Sequence, residues 1–244
     1  MIRLNNIKKV FQTEELETWA LRNVNLEVKE GEFVAIMGPS GCGKSTLLNI
    51  IGLIDSPTEG SYTLSGKDVS TLKENDRTDM RKGKIGFVFQ SFNLIEDLNV
   101  YENIELPLLY MGISPKERKE RVMAIMDRMA LSHRRKHFPN QLSGGQQQRV
   151  AIARAVIGLT ASCHADSTQQ ASSAIGGLKG CLLLADEPTG NLDSANSKEV
   201  MDLLSQLHSE GATIIMVTHS QHNACYADRI VNLYDGEVVD QVEL

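Results

Sequence analysis

Apolar and polar residues alternate through the opening segments of the chain. "IRLNNIKKVF" and "LRNVNLEV" both show period two, which predicts a pair of half-buried antiparallel strands. After Gly31 the alternation stops, and "FVAIMG" runs apolar without interruption, as expected of a central strand covered on both faces. "KSTLLNIIGLI" follows as a helix. "GSYTLSGKDVS" reads as a short strand pair turning at Ser65-Gly66, and "KIGFVFQ" as a strand ending at Gln90. From about residue 92 to 141 the period becomes helical. Ser114 as N-cap and Pro115 at the first helical position mark one helix start. Val122, Ile125, Met126 and Met129 recur along that helix at helical spacing. The stripe fits core packing; a methionine-rich binding face is the alternative. The "RRK" run at 134–136 reads as a solvated face.

Beyond that segment strand and helix alternate. "QQRVAIARAVI" is a helix, "CLLLAD" a buried strand, and "SANSKEVMDLLSQLHSEG" a helix ended by Gly211. "ATIIMVTH" is another buried strand, and "RIVNLYDGEVVDQVEL" a hairpin turning at Asp235-Gly236. Apolar strands alternating with helices imply a mostly parallel sheet covered on both faces. No internal repeat or heptad run is present. One stretch is out of character: "GLTASCHADSTQQASSAIGGLKG", residues 158–180, is small, polar and glycine- and serine-rich where a few residues would join helix to strand.

Composition narrows the class only modestly. The chain has 244 residues, 41% hydrophobic and 23% charged, enough for one large domain or two small ones. A net charge of −6 argues against a dedicated nucleic-acid binder. "MIRLNNIKKVF" lacks the apolar core of a signal peptide, and the longest apolar stretches are too short to cross a bilayer. A cytosolic chain is expected, with any membrane work left to a partner. Cys42, Cys163, Cys181 and Cys225 show no metal-ligand spacing and read as reduced thiols.

The chemistry begins at "GPSGCGKST", Gly38 to Thr46, which fits G-x-x-x-x-G-K-[ST] between a buried strand and a helix. Its glycines let backbone N–H groups curl around a phosphate, Lys44 can reach the β- and γ-oxygens, and Ser45 can ligate Mg²⁺. The motif alone says only nucleoside triphosphate. "CLLLADEP" then puts Asp186 at the carboxyl end of a strand, where open α/β sheets bind ligands. There Asp186 can hold the Mg²⁺ through water, and Glu187 can orient and deprotonate an attacking water. Gln90 and His219 end two further strands and so share that edge. Gln90 can touch metal or water, and His219 can donate to the γ-phosphate. "LSGGQQQ", residues 142–148, starts a helix with Ser143 as N-cap and offers free N–H groups to an anion. Yet no lysine, metal ligand or general base lies beside it in the sequence.

The phosphate loop, Gln90, "LSGGQ", "LLLADEP", "NLD" and His219 occur in the order and approximate spacing of the ATP-binding subunits of ABC transporters. This resemblance covers essentially the whole chain. The wording "MGPSGCGKSTLLNIIGLIDSPTEG", "GFVFQSFNLI", "YENIELPLLYMGI" and "ADEPTGNLDS" is most similar to the branch of lipoprotein-release and macrolide-export ATPases, with the cell-division ATPase nearby. It implies an α/β fold: a P-loop NTPase core with a mostly parallel sheet, an N-terminal antiparallel β part and an inserted α-helical subdomain. Residues 1–244 would then be a single ATPase domain. Its nucleotide-binding core would be 1–91 and 150–244, its helical subdomain with the signature motif 92–149, and 158–180 a flexible insertion. Removing residues 159–179 is then expected to leave basal turnover nearly unchanged.

The family also implies a split site, in which two domains meet head to tail and the signature of one caps the γ-phosphate held by the other. Gly38, Pro39, Ser40, Gly41, Cys42, Gly43, Lys44, Ser45 and Thr46 would bind ATP. Ser45, Gln90 and Asp186 would hold Mg²⁺, while Glu187, His219 and Gln90 serve catalysis. Ser143, Gly144, Gly145 and Gln146 would meet the partner's ATP, and Asp193 would line the interface. Phe11 falls where the family places an adenine-stacking aromatic; a buried strand phenylalanine is the rival reading. Cys42 should lie near the phosphates, so a thiol reagent would compete with ATP. The implied partners are a second copy, joined through ATP, and integral membrane permease subunits, with no nucleic acid. The implied location is the cytoplasmic face of the inner membrane. A non-transporting regulator of cell division or of an extracytoplasmic hydrolase is the alternative. DNA-repair ATPases with this signature carry a long coiled coil after the strand ending at Gln90, and the interval here is too short.

Overall fold

The computed structural model describes residues 1–12, 17–162 and 177–243. β1 (Ile2–Gln12) and β2 (Glu17–Val28) pair antiparallel, with Ile2 opposite Val28 and Phe11 opposite Thr18. Their period-two pattern buries Ile2, Leu4, Ile7, Val24, Leu26 and Val28. β3 (Phe33–Met37) opens a second sheet and leads through the phosphate loop into α1 (Lys44–Ile51). The helix stops earlier than its apolar run suggests. Gly52 caps it, and a β-carbon there would lie 2.0 Å from Phe87 Cζ; Leu53 follows at φ +58°. β4 (Glu59–Leu64) and β5 (Lys67–Asp68) turn at Ser65 and Gly66, whose φ values of +50° and +80° suit a tight hairpin.

α2 (Glu74–Arg81) is a helix the apolar pattern does not announce, because it buries no residue. Glu74 and Asp76 at its start and Arg81 at its end complement its dipole. The Arg81 guanidinium also donates to the Leu53 carbonyl. β6 (Ile85–Phe89) precedes α3 (Val100–Tyr110), which starts with a capping box between Asn99 and Glu102. α4 (Pro115–Arg128) starts at Ser114, whose hydroxyl accepts from the Glu117 N–H. Val122, Ile125, Met126 and Met129 are all buried, so the methionine stripe is core. The 134–136 run is not the uniform solvated face expected. Arg135 lies over the Tyr101 ring at 4.8 Å and Arg134 reaches His137, leaving only Lys136 exposed.

α5 (Gly144–Ser162) is followed by β7 (Leu182–Asp186), α6 (Ser194–Ser209), β8 (Thr213–Val217) and α7 (Gln221–Ala224). β9 (Arg229–Tyr234) and β10 (Glu237–Glu243) form the expected hairpin, with positive φ at Asp235 and Gly236. The first sheet has order β2-β1-β4-β5 and is antiparallel. The second has order β10-β9-β3-β8-β7-β6, with every pair parallel except β10 with β9. Alternate residues of its strands serve two cores. Val34, Ile36, Leu184, Ile215 and Val217 face α1 and the antiparallel sheet. Phe33, Ala35, Leu183, Ile214 and Met216 share a cluster with α3, α4, α5 and α6.

The boundaries read for the 158–180 insertion need correction. α5 continues to Ser162, and Leu159 and Leu178 are each 1% exposed within the core. The polar stretch conceals these two because its composition is averaged over small residues. Residues 163–176 of the expected insertion, with Cys163, lie outside the described residues. Removing 159–179 would therefore take two core side chains with it. Leu159→Ala alone should cost about 2–5 kcal/mol, the usual range for a buried leucine, in urea unfolding. The 159–179 deletion should be less stable still, with turnover falling in step with the folded fraction.

Candidate functional site

Because β3, β8, β7 and β6 are parallel and in register, their carboxyl ends form one edge. Phe89 aligns with Asp186, Asp186 with Val217 and Val217 with Ile36. The phosphate loop, His219, the Asp186–Glu187 pair and Gln90 follow directly from those ends. The loop is pressed against its surroundings where it lacks side chains. A β-carbon on Gly38 would lie 2.0 Å from the Leu233 carbonyl oxygen, and one on Gly43 (φ +104°) would lie 2.4 Å from that of Ala20. The Gly236 N–H donates to the Cys42 carbonyl at 3.0 Å, so the β9–β10 turn supports the loop from behind. Gly41 has open space at the same position, and Pro39, Ser40 and Ser45 are exposed, while Thr46 is half-buried.

Leu47 is the first residue after Gly43 whose N–H closes onto α1, to Gly43 at 2.8 Å. The amides of residues 44–46 therefore lack helical acceptors and stand at the positive end of the dipole. Lys44 is only 6% exposed, and its ammonium donates to the carbonyls of Gly38 (2.9 Å) and Pro39 (2.7 Å). It spans the loop from inside. Cys42 is 4% exposed and belongs to the apolar cluster beneath α1. Its thiol is buried, 3.9 Å from Lys44 Nζ, so it sits beside the loop lysine as expected but is not accessible.

At the acidic edge, Glu187 departs from the strand. Its N–H still donates to the Val217 carbonyl at 3.0 Å, but its φ is +46°, a left-handed conformation that costs a non-glycine residue about 1–3 kcal/mol. Its Oε1 lies 2.7 Å from His219 Nε2. A cavity of about 380 Å³ opens beside the pair, lined also by Thr189, Ser197, His222 and Tyr226. Gln90 donates from Nε2 to Asn191 Oδ1 at 3.3 Å, and Asn191 Nδ2 donates back to the Gln90 carbonyl at 3.1 Å. Among the described residues, no group of three or more His, Cys, Asp and Glu could hold a cation alone. One hydroxyl, one amide and one carboxylate from Ser45, Gln90 and Asp186 fit Mg²⁺, which takes few protein ligands and keeps phosphate oxygens and waters.

The start of α5 is a capping box. Ser143 Oγ accepts from the Gln146 N–H at 3.3 Å, and Gln146 Oε1 accepts from the Ser143 N–H at 3.1 Å. That arrangement engages the Gln146 side chain locally and leaves the Gly144 and Gly145 amides as the free donors. A β-carbon on Gly145 would lie 2.0 Å from Asn196 Oδ1. Asp193 caps α6 and accepts twice from Asn196, at 2.8 Å each, and those bonds hold its carboxyl below the ordinary aspartate value. Asp193 thus pins Asn196 under the signature glycines. Gly144 packs against Leu192, Asn191 and Phe92, not the phosphate loop. Phe11 is 46% exposed with Lys9 Nζ 5.0 Å from its ring centre, which excludes the buried-strand reading.

Sequence reasoning missed three residues here. Gln148 is fully buried and donates from Nε2 to the carbonyls of Pro188 (2.6 Å) and Phe89 (3.4 Å), tying α5 to both loops of the acidic edge. Asn223 Nδ2 donates to Thr189 Oγ1 at 2.8 Å beneath His219. Asn196 is the third. All are polar residues in polar runs. Only the buried helix face of Gln148, shared with Ile152 and Ala155 at helical spacing, could have marked it.

The family described as ABC transporter matches residues 21–166. The ABC transporter ATP-binding protein MJ1508 of Methanocaldococcus jannaschii is 45% identical over 98% of each chain. The macrolide export ATP-binding/permease protein MacB of Brucella melitensis is 44% identical over 98% of this chain, which spans 34% of that relative. The dimeric post-hydrolysis structure of the ATP-binding cassette MJ0796 bound to ADP and Pi superposes with a TM-score of 0.84 at 43% identity, over 100% of this chain and 99% of the other.

The buried position of Cys42 changes the expectation for thiol chemistry. In the native protein a maleimide should label the exposed Cys225 readily and Cys42 only slowly, with Cys42 becoming fully reactive in denaturant. Peptide mapping by mass spectrometry reads both; rapid native labelling of Cys42 would contradict the packing described.

Proposed function

The chain belongs to the ABC transporter family, and from that premise we propose that it is the ATP-hydrolysing subunit of a transporter, acting as a head-to-tail pair of copies. One observation carries the reading. The free amides of Gly144 and Gly145 stand at a helix start that packs on Asn196 and Leu192, while Lys44 is held within its own loop by the Gly38 and Pro39 carbonyls. On this reading neither half encloses a nucleotide alone.

In this reading the amides of 41–46 cradle the β-phosphate, and Lys44 exchanges its two loop carbonyls for β- and γ-oxygens. Phe11 offers its exposed ring to adenine. Ser45, Gln90 and Asp186 would hold Mg²⁺, which would neutralise charge on the phosphates. Glu187 accepts a proton from the attacking water. His219, 2.7 Å away, keeps that carboxylate oriented and donates to the γ-phosphate. Ser143, Gly144 and Gly145 of the partner subunit close the pocket. Contacts made across the split site only when ATP is intact let hydrolysis reopen the pair.

Among the described residues no helix is long and apolar enough to cross a membrane. The MacB-type relatives are named ATP-binding/permease proteins, and we assign the permease role here to separate membrane subunits. The helical segment 92–149 is their contact. A groove of about 840 Å³ lies where α2, β6, α3 and α5 meet, with Ile54, Phe87, Leu106, Tyr110 and Met111 along it. Its apolar walls suit an amphipathic helix of such a subunit. In this reading the chain works at the cytoplasmic face of the membrane and powers export or extraction of a substrate, as macrolide export or lipoprotein release would require.

Glu187→Gln should keep ATP binding, accumulate as an ATP-bound dimer in size-exclusion chromatography and lose about 10²–10⁴ in turnover, the scale of a general base. Turnover per chain of the parent protein should fall on dilution. A Glu187→Gln protein hydrolysing ATP at the parental rate would remove the catalytic assignment.

A further inference from the structure

We propose that Arg154 is a positioning residue for hydrolysis: from α5 it clamps the segment that carries Gln90 in a conformation the segment would not hold alone. After β6 the chain runs through Gln90 and Ser91 to Phe92 and Asn93, at φ +61° and +48°. Two consecutive non-glycine residues in the left-handed region are disfavoured by contact of Cβ with the backbone. Local bonds, Phe92 N–H to Phe89 and Asn93 N–H to Ser91, close the turn. The Arg154 guanidinium then donates to the Asn93 carbonyl at 2.6 Å and the Phe92 carbonyl at 2.9 Å. A planar fork reaches two adjacent carbonyls at once, which a lysine ammonium does less rigidly.

The charge is committed to this task. Burial pulls the Arg154 pKa below its ordinary value, and no carboxylate contributes an opposing shift. The half-buried guanidinium is bonded only to carbonyls, and it is placed where two strained residues need holding. Six residues earlier on the same helix, Gln148 holds the Phe89 carbonyl. α5 therefore grips the chain immediately before and after Gln90. Asn93 and Arg154 also line the groove assigned to the membrane partner, so a helix seated there would bear on the clamp and, through it, on Gln90. The inference rests on the reading that Gln90 takes part in hydrolysis.

The test is a double-mutant cycle in the full-length protein, with Gln90→Ala, Arg154→Gln and both together, read as kcat and the KM for ATP. Arg154→Gln should lower kcat about 10–100-fold, the scale of a misplaced group, with KM within about twofold because the phosphate loop is untouched. The double variant should be no slower than Gln90→Ala alone. Arg154→Lys should recover part of the loss. Asn93→Val addresses the case in which Arg154→Gln does not fold. Its site is exposed, its β-branched side chain resists the left-handed region, and it should lower kcat in the same sense at unchanged KM. Parental kcat in Arg154→Gln or Asn93→Val, or rate losses that multiply in the double variant, would overturn the clamp. Parental kcat in Gln90→Ala would instead overturn the hydrolytic role of Gln90, and the clamp with it.

Discussion

There is no room for a β-carbon at Gly38 or Gly43, and much of the edge is organised around that contact. The loop lies directly against the Leu233 and Ala20 carbonyls, so β9 on one side and β2 on the other fix its path. Its amides are left facing outward because the inward side is occupied. The same closeness sets the direction of α1, whose free N–H groups then stand beside the ends of β7 and β8. An anion site of this kind needs no positively charged side chain on its rim. Backbone dipoles supply the rim, provided the loop cannot relax, and Lys44 adds its charge from inside.

α5 connects the elements that surround this rigid loop. Its first turn is fastened by Ser143 and Gln146, its second reaches Pro188 and Phe89 through Gln148, and its third reaches Phe92 and Asn93 through Arg154. One helix thus carries the signature glycines and also determines where two loops of its own chain's site lie. A shift of the helix along its axis would move those loops together. Independent motion of either one would break hydrogen bonds from Gln148 or Arg154, that to the Pro188 carbonyl being buried and the costliest to lose.

The sequence showed most of this where one physical signal dominates. β3, β7 and β8 are continuous apolar runs because both of their faces are covered. The Ser65-Gly66 and Asp235-Gly236 turns are visible because only certain residues tolerate positive φ. α2 is hidden, since a helix with no buried face carries no apolar period. Leu159 and Leu178 are hidden by neighbours whose small polar side chains dominate any window. Cys42 shows the limit of motif reading: membership of the loop says nothing about the side on which a thiol lies. Gln148 and Arg154 were invisible for a related reason, because polar residues read as surface until the packing shows what they hold. The residues gathered at the carboxyl edge were legible because parallel strands deliver their ends to one place.

The support of Cys42 by Gly236 joins parts of the chain that are far apart in sequence. A ribosome delivers the strand, loop and first helix of the nucleotide site early, but the hairpin that braces them much later. Domains emerge from the amino end at a finite pace. Until the β9–β10 turn has docked, Gly38 lacks the carbonyl wall that sets its path. A growing chain would then gain a firm grip on nucleotide only once its second sheet has closed, and unfinished products would be poor competitors for cellular ATP.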